Sequence, residues 1–223
     1  MTTVGARAQW TPTRRLTLRV AAFDGASGDP GGPGRFLDVT FSGRSGAMMI
    51  GEADLALASG VRVAVGGWGY TGRYPLLAAP AASREGQAGV YGFVEGPLPG
   101  LSGWRAWVRA GRADPGVDVV AGYLGGGVVR TAPFAGRPDD QLGFAVARAL
   151  IAADAQRVRG LPDAETTLEA SYALQARPWL VVQPDLQYVI HPAGAPAIPS
   201  ALAIGLRFAV IGVRTEVATH EGF

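Results

Sequence analysis

Arg105, Trp107 and Arg109 stand two residues apart. On an extended strand they share one face, because successive side chains point to opposite sides. Two fixed, forked cations around a flat indole suit a polar ligand or a polar channel wall. The same residue types recur with strand-like spacing at Glu52, Asp54, Arg62, Trp68, Glu165, Glu169, Asp185 and Arg207. Covalent chemistry finds no support. There is no Ser/His/Asp or Cys/His arrangement, and cysteine is absent, so thiolate metal sites and disulfides are excluded. His191 and His220 lack metal-ligand spacing. Asp139-Asp140 follows Pro138 without a third ligand and reads as a loop cap. Gly125-Gly126-Gly127 lacks the Gly-Lys-Ser/Thr continuation of a phosphate loop. The expectation is a protein that is not an enzyme and uses no metal or other cofactor.

Composition narrows the class of elements that could position such residues. Hydrophobic residues make up 48% of the 223 and charged residues only 17%, while Gly (33) and Pro (16) are abundant. Glycine is costly inside helices and proline removes a backbone donor, so many short strands with frequent turns are expected. The formal net charge is +2, without a basic run, which argues against nucleic acid. No apolar stretch of about 18 residues exists, so no membrane-crossing helix is expected. Met1–Arg7 carries no apolar core of the kind found in signal peptides.

Period-two alternation appears along most of the chain. In Glu165–Arg177 the odd positions hold Glu165, Thr167, Glu169, Ser171 and Gln175, and the even ones Leu168, Tyr172 and Leu174. Leu180–Ile190 sets Gln183, Asp185 and Gln187 against Val182, Leu186, Tyr188 and Ile190; its β-branched residues and Pro184 exclude a helix. Leu202–Ile211 alternates Leu202, Ile204, Leu206, Phe208 and Val210 with small or polar residues, the pattern of a strand between lipid and a wet interior. Further strands are predicted at Val4–Trp10, Leu16–Phe23, Met48–Leu57, Val61–Tyr70, Ala88–Pro97, Gly103–Gly111, Val117–Val128 and Gln141–Ile151. The last also fits a helical stripe through Leu142, Val146 and Leu150.

Short turns are predicted at Thr11–Arg15, Ala58–Gly60, Pro97–Gly103 and Ala176–Trp179. Longer loops are predicted at Asp24–Gly46, Thr71–Gln87, Arg130–Asp140, Ala152–Ala164 and His191–Ala201. Alternation of the two kinds is what a barrel with periplasmic turns and extracellular loops produces. Trp10, Tyr91, Tyr123, Trp179 and Tyr188, at strand ends, are expected in an interfacial girdle.

Several segments together resemble the carbohydrate-selective porins of the OprB-like family. Trp179–Pro192 is similar to the family's "wl.lqPDlQyi.nPg" strand and loop, and Ala201–Phe208 to its "dAlv.GlR" closing strand. Gly136–Gly143, Glu165–Tyr172, Gly66–Gly72 and Ala47–Glu52 are similar to further family segments, in the family's order. The resemblance implies an all-β, antiparallel outer-membrane β-barrel in a Gram-negative bacterium. This chain would supply about ten or eleven strands of about sixteen, as a single carboxy-terminal domain forming an open half-barrel. Earlier strands and a signal segment would lie outside it, as in a truncated product. Residues 212–223 run past the family's usual terminal aromatic, and Phe223 is the last residue.

The resemblance also implies passive, carbohydrate-selective diffusion. Mono- or oligosaccharides would pass the eleven residues named in the first paragraph, with outer-membrane lipid around the wall. Some of those residues are expected at the constriction; the simpler alternative is that they only solvate or brace the wall. Two other readings stay open: a soluble or membrane-associated β-sheet protein that binds a ligand, and an outer-membrane structural protein without transport.

Overall fold

Alternation resolves into eleven strands in a computed structural model that describes residues 5–24, 46–195 and 197–211. They are β1 (Gly5–Trp10), β2 (Leu16–Asp24), β3 (Ala47–Ala56), β4 (Arg62–Pro75), β5 (Ser83–Pro97) and β6 (Trp104–Arg112). Then follow β7 (Val120–Thr131), β8 (Gln141–Ile151), β9 (Ala164–Arg177), β10 (Leu180–Ile190) and β11 (Ala201–Val210). Each pairs antiparallel with its sequence neighbours in one sheet of order β1 to β11, with β1 and β11 as its edges. The predicted Gln141–Ile151 segment is a strand despite its helical stripe. Pro184 sits where the β9–β10 register passes from Val182–Leu174 to Asp185–Ser171, so its missing donor falls at a gap in the ladder.

A meander sends alternate connections to opposite ends of the sheet. One end collects the turns β1–β2, β3–β4, β5–β6, β7–β8 and β9–β10; the other collects the remaining connections. Three loop expectations need correction. Arg130–Asp140 joins β7 to β8 and therefore lies at the turn end. Thr71–Gln87 is mostly strand, since β4 runs on to Pro75 and β5 begins at Ser83. Ala152–Ala164 is not wholly loop either. It holds α1 (Ala153–Arg159), closed by Gly160 in the left-handed region, with Asp154 in its first turn and Arg157 and Arg159 in its last. That charge order suits the helix dipole, and glycine bears the positive φ without strain.

Buried apolar groups cluster at the loop end. Leu77, Ile151, Ala152 and Ala155 pack together, with Val119, Ala121 and Leu161 against them. This ties the β4–β5, β6–β7 and β8–β9 connections to one another. The sheet has no second layer among the described residues. One face instead leaves its large apolar residues open: Ile204 is 81% exposed, Val210 74% and Val65 61%. Val20, Met49, Val90, Val108, Leu124, Phe144 and Leu168 on the same face are exposed as well. A continuous exposed apolar face of this extent suits a nonaqueous surrounding rather than water. Predicted features at Val4, within residues 25–45, at His220 and at Phe223 lie outside the described residues.

Candidate functional site on the polar face

Strand parity assigns the opposite face residue by residue. Partners directly across an antiparallel ladder point the same way, so the register can be followed through the sheet. Arg19 faces Glu52, and Thr17 faces Asp54. Asp54 stands opposite Ala64 and Ile50 opposite Trp68; Arg62 stands opposite Glu95. Glu95 pairs with Trp107, and Pro97 with Arg105. Arg109 is across from Gly125, Gly125 from Ala147, and Ala147 from Thr167. Glu169 and Gln187 are partners, Asp185 faces Gly205, and Gln183 faces Arg207. All eleven residues singled out from the sequence therefore share one face.

They are not one cluster. On β2 to β5, near the turn end, charges interlock. Arg19 bonds Glu52 and Asp54, each at 2.9 Å. Arg62 Nε donates to both Asp54 oxygens at 2.9 and 3.0 Å, and its other arm reaches Glu95 at 3.4 Å. Asp54 is only 6% exposed; two guanidiniums compensate its loss of water. Tyr91 donates its hydroxyl to Glu52 at 3.0 Å. Beyond the carboxylates, Arg62 lies 4.9 Å from the Phe93 ring centre, and Arg109 lies 5.9 Å from Phe93 and 4.8 Å from Trp107. Cations and rings thus alternate across three strands, each guanidinium attracted by an electron-rich face.

A second group lies on β9 to β11. Gln187 donates to Glu169 and to Asp185, both at 3.3 Å. Glu165 is at the loop end, where it accepts the Ala193 backbone N–H at 2.5 Å. No ion pair holds Arg105, Arg109 or Arg207 among the described residues. Between the groups, Gly125, Gly127, Gly143, Ala145 and Ala147 make the wall low. A trough of about 290 Å³ opens there, with Trp107 and Tyr123 on one bank and Thr167, Glu169 and Ser171 on the other.

Some expectations move. Tyr91 and Tyr123 are on the polar face, not in an outward girdle, because their register partners are Gly66 and Ala149. Trp10 and Trp179 do stand exposed at the turn end, as does Phe134, and Tyr188 is on the apolar face. Sequence reading passed over Arg19, Phe93 and Glu95, whose parity on β2 and β5 is their signal. It also took Asp140 only for a loop cap. That residue is 1% exposed at the turn end. Arg137 holds it through two bonds of 2.7 and 2.9 Å, and the Tyr172 hydroxyl and the Gln175 N–H donate to it. Arg137 first, then Tyr172 and Gln175, against the opposing effect of burial, bring its carboxyl down to about 2.

A single antiparallel sheet with an apolar face, a charged face and turn and loop ends is the wall of an outer-membrane-type β-barrel. Residues 1–211 match the family described as carbohydrate-selective porin, OprB family, and the chain belongs to it. Porin B of Pseudomonas aeruginosa is 30% identical over 116 residues, covering 44% of this chain and 26% of that protein. The high-pH structure of Pseudomonas putida OprB matches with a TM-score of 0.79 at 22% identity, over 92% of this chain and 58% of that one. Its low-pH structure matches at 0.61 and 20% identity, over 92% and 54%. The chain spans less than two thirds of each of these relatives.

Proposed function

We propose that this chain is a wall of an outer-membrane porin, one domain throughout, and that sugars diffuse passively along its polar face. The apolar face meets outer-membrane lipid of a Gram-negative bacterium. The observation that carries this reading is the separation of faces: exposed Val, Leu, Ile and Phe on one side, arginines, carboxylates and aromatic rings on the other. A soluble sheet would have to cover the first face.

The polar face suits a hydroxylated solute that must enter and leave quickly. Opposed arginines and carboxylates order water across a pore and offer hydroxyls many exchangeable partners. Asp54, Glu52, Arg19 and Arg62 satisfy one another and brace the wall. Arg105 and Arg109 keep donors for a passing solute, and Glu165, Glu169, Asp185 and Arg207 face them across the low trough or along its margin. Trp68 and Trp107 add apolar surface.

Single-channel recording in planar bilayers tests the assignment. Arg105→Ala and Arg109→Ala are expected to weaken sugar-induced current block while leaving the channel open. Unchanged block in both variants removes these residues from the path, and liposomes that exclude graded sugars would remove transport itself.

A further inference from the structure

The apolar face carries two arginines near the loop end, on alternate strands. Arg112 of β6 stands in a row with Val90, Gly122 and Leu150. Arg148 of β8, one row nearer the turn end, stands between Leu124 and Thr166. Val90 is 62% exposed, Leu124 53% and Leu150 41%, so both cations are set among apolar residues that face outward. Gly122 places no side chain between them, and Leu150 leans to within 3.2 Å of where its Cβ would stand. The result is a shallow gap with cationic sides and an apolar floor.

Depth gives this gap its chemical setting. The nine residues of β6 run about 27 Å, which the tilt of a barrel strand reduces to about 20 Å of depth, against an apolar band of about 25 Å. Trp104 and Arg112, at the ends of β6, therefore stand near the two edges of that band. A guanidinium inside hydrocarbon is costly, but at the edge it can meet a lipid headgroup. The two edges differ. At the turn end Arg130 lies 5.8 Å from the Trp104 ring centre and donates to the Ser102 carbonyl. At the loop end Arg148 pairs with Asp163 at 2.6 Å, both groups well exposed at 46% and 70%. The Arg112 guanidinium has no hydrogen-bond or ion-pair partner among the described residues.

We propose that Arg112 and Arg148 hold the phosphate of a membrane lipid in the leaflet at the loop end, its acyl chains running down over Leu124 and Val108. A phosphomonoester headgroup suits the gap, because two forked guanidiniums match its charge and its peripheral oxygens. The inference rests on the porin reading for its membrane, but lipid binding is read without a pore.

Native mass spectrometry of the full chain, refolded in a nonionic detergent, measures it. The probes are didecanoyl phosphatidate and didecanoylglycerol, which share acyl chains and differ in the phosphate. One phosphatidate is expected to stay bound, with little didecanoylglycerol. Arg112→Gln/Arg148→Gln should weaken phosphatidate binding by about tenfold or more. Arg14→Gln/Arg15→Gln, which removes the same charge from the turn end, should retain it. If the first double variant loses its strand circular dichroism, Arg112→Gln alone, which breaks no side-chain contact among the described residues, is expected to weaken binding in the same direction. Undiminished binding in a folded variant, equal binding of didecanoylglycerol, or equal loss in the turn-end variant would overturn the site. Displacement by inorganic phosphate at the same concentration would make it a free-anion site and overturn the lipid assignment. Sugar block of single-channel current decides the porin reading separately: a conducting chain that fails to bind phosphatidate loses only the lipid site.

Discussion

Gly66 of β4 stands directly opposite Tyr91 of β5, and the phenol ring occupies the space that a side chain at position 66 would need. A Cβ there would come within 2.5 Å of Tyr91 Cζ and 2.7 Å of the Gly51 carbonyl oxygen. The same relation joins Trp68 to Gly89, Trp107 to Gly127 and Asp185 to Gly205, all register partners. Large groups on the polar face therefore lie down over glycines rather than standing into the space beside the wall.

Gly66→Ala forces the Tyr91 ring upward and crowds a backbone oxygen that cannot move away, which breaks the Tyr91–Glu52 bond. A loss of about 1–3 kcal/mol is expected in urea unfolding from lipid vesicles. Gly51→Ala is the control. Nothing lies within 4 Å of a Cβ at that position, so stability should stay close to the parent.

Asp54→Asn removes the carboxylate that two arginines share. Both guanidiniums keep some contact with water, at 28% and 40% side-chain exposure, so the cost falls below that of a fully buried pair, at about 1–3 kcal/mol. The Arg73–Glu85 pair is far more open, 65% and 73%, and Glu85→Gln should change stability by less than about 0.5 kcal/mol. Equal effects of the two substitutions in chemical denaturation would contradict the bracing role of Asp54.

Asp140 gives the turn end an acid limit. Its folded-state carboxyl is depressed to about 2, chiefly by Arg137, below the ordinary value of about 3.9. The folded state therefore binds the proton more weakly than the unfolded one. Its contribution is complete above the ordinary value and is lost as pH falls through about 4 towards 2. The gap in urea midpoint between the parent and Asp140→Asn should be wide at neutral pH and shrink over that window. A constant gap would show that the carboxylate charge contributes nothing.

Strands and their faces were legible in the sequence because one physical rule, alternation between two solvents, acts at every residue. Glu52, Asp54, Arg105 and Asp185 could be put on the wet face from parity alone. The pairing of Arg19 with Asp54 could not, since it depends on register between strands separated by a long connection. Asp140 was misjudged for a similar reason. Its partners Tyr172 and Gln175 lie on β9, far along the chain, and local context showed only a proline and a neighbouring aspartate. Helix α1 went unread because it is a seven-residue element, too short to display a helical period and held by packing of Ala155 in the loop-end cluster. Tyr91 was misplaced because an aromatic near a strand end suggests an interface, whereas parity on β5 turns it inward.

β11 offers the most direct measurement of the two-solvent wall. The chain has no cysteine, so single cysteines can be placed at each position from 202 to 210 and spin-labelled in lipid vesicles. Oxygen accessibility should peak at 202, 204, 206, 208 and 210, and accessibility to a water-soluble nickel chelate at 203, 205, 207 and 209. Accessibility that ignores this period, or chelate contact on both faces, would contradict the membrane-wall account.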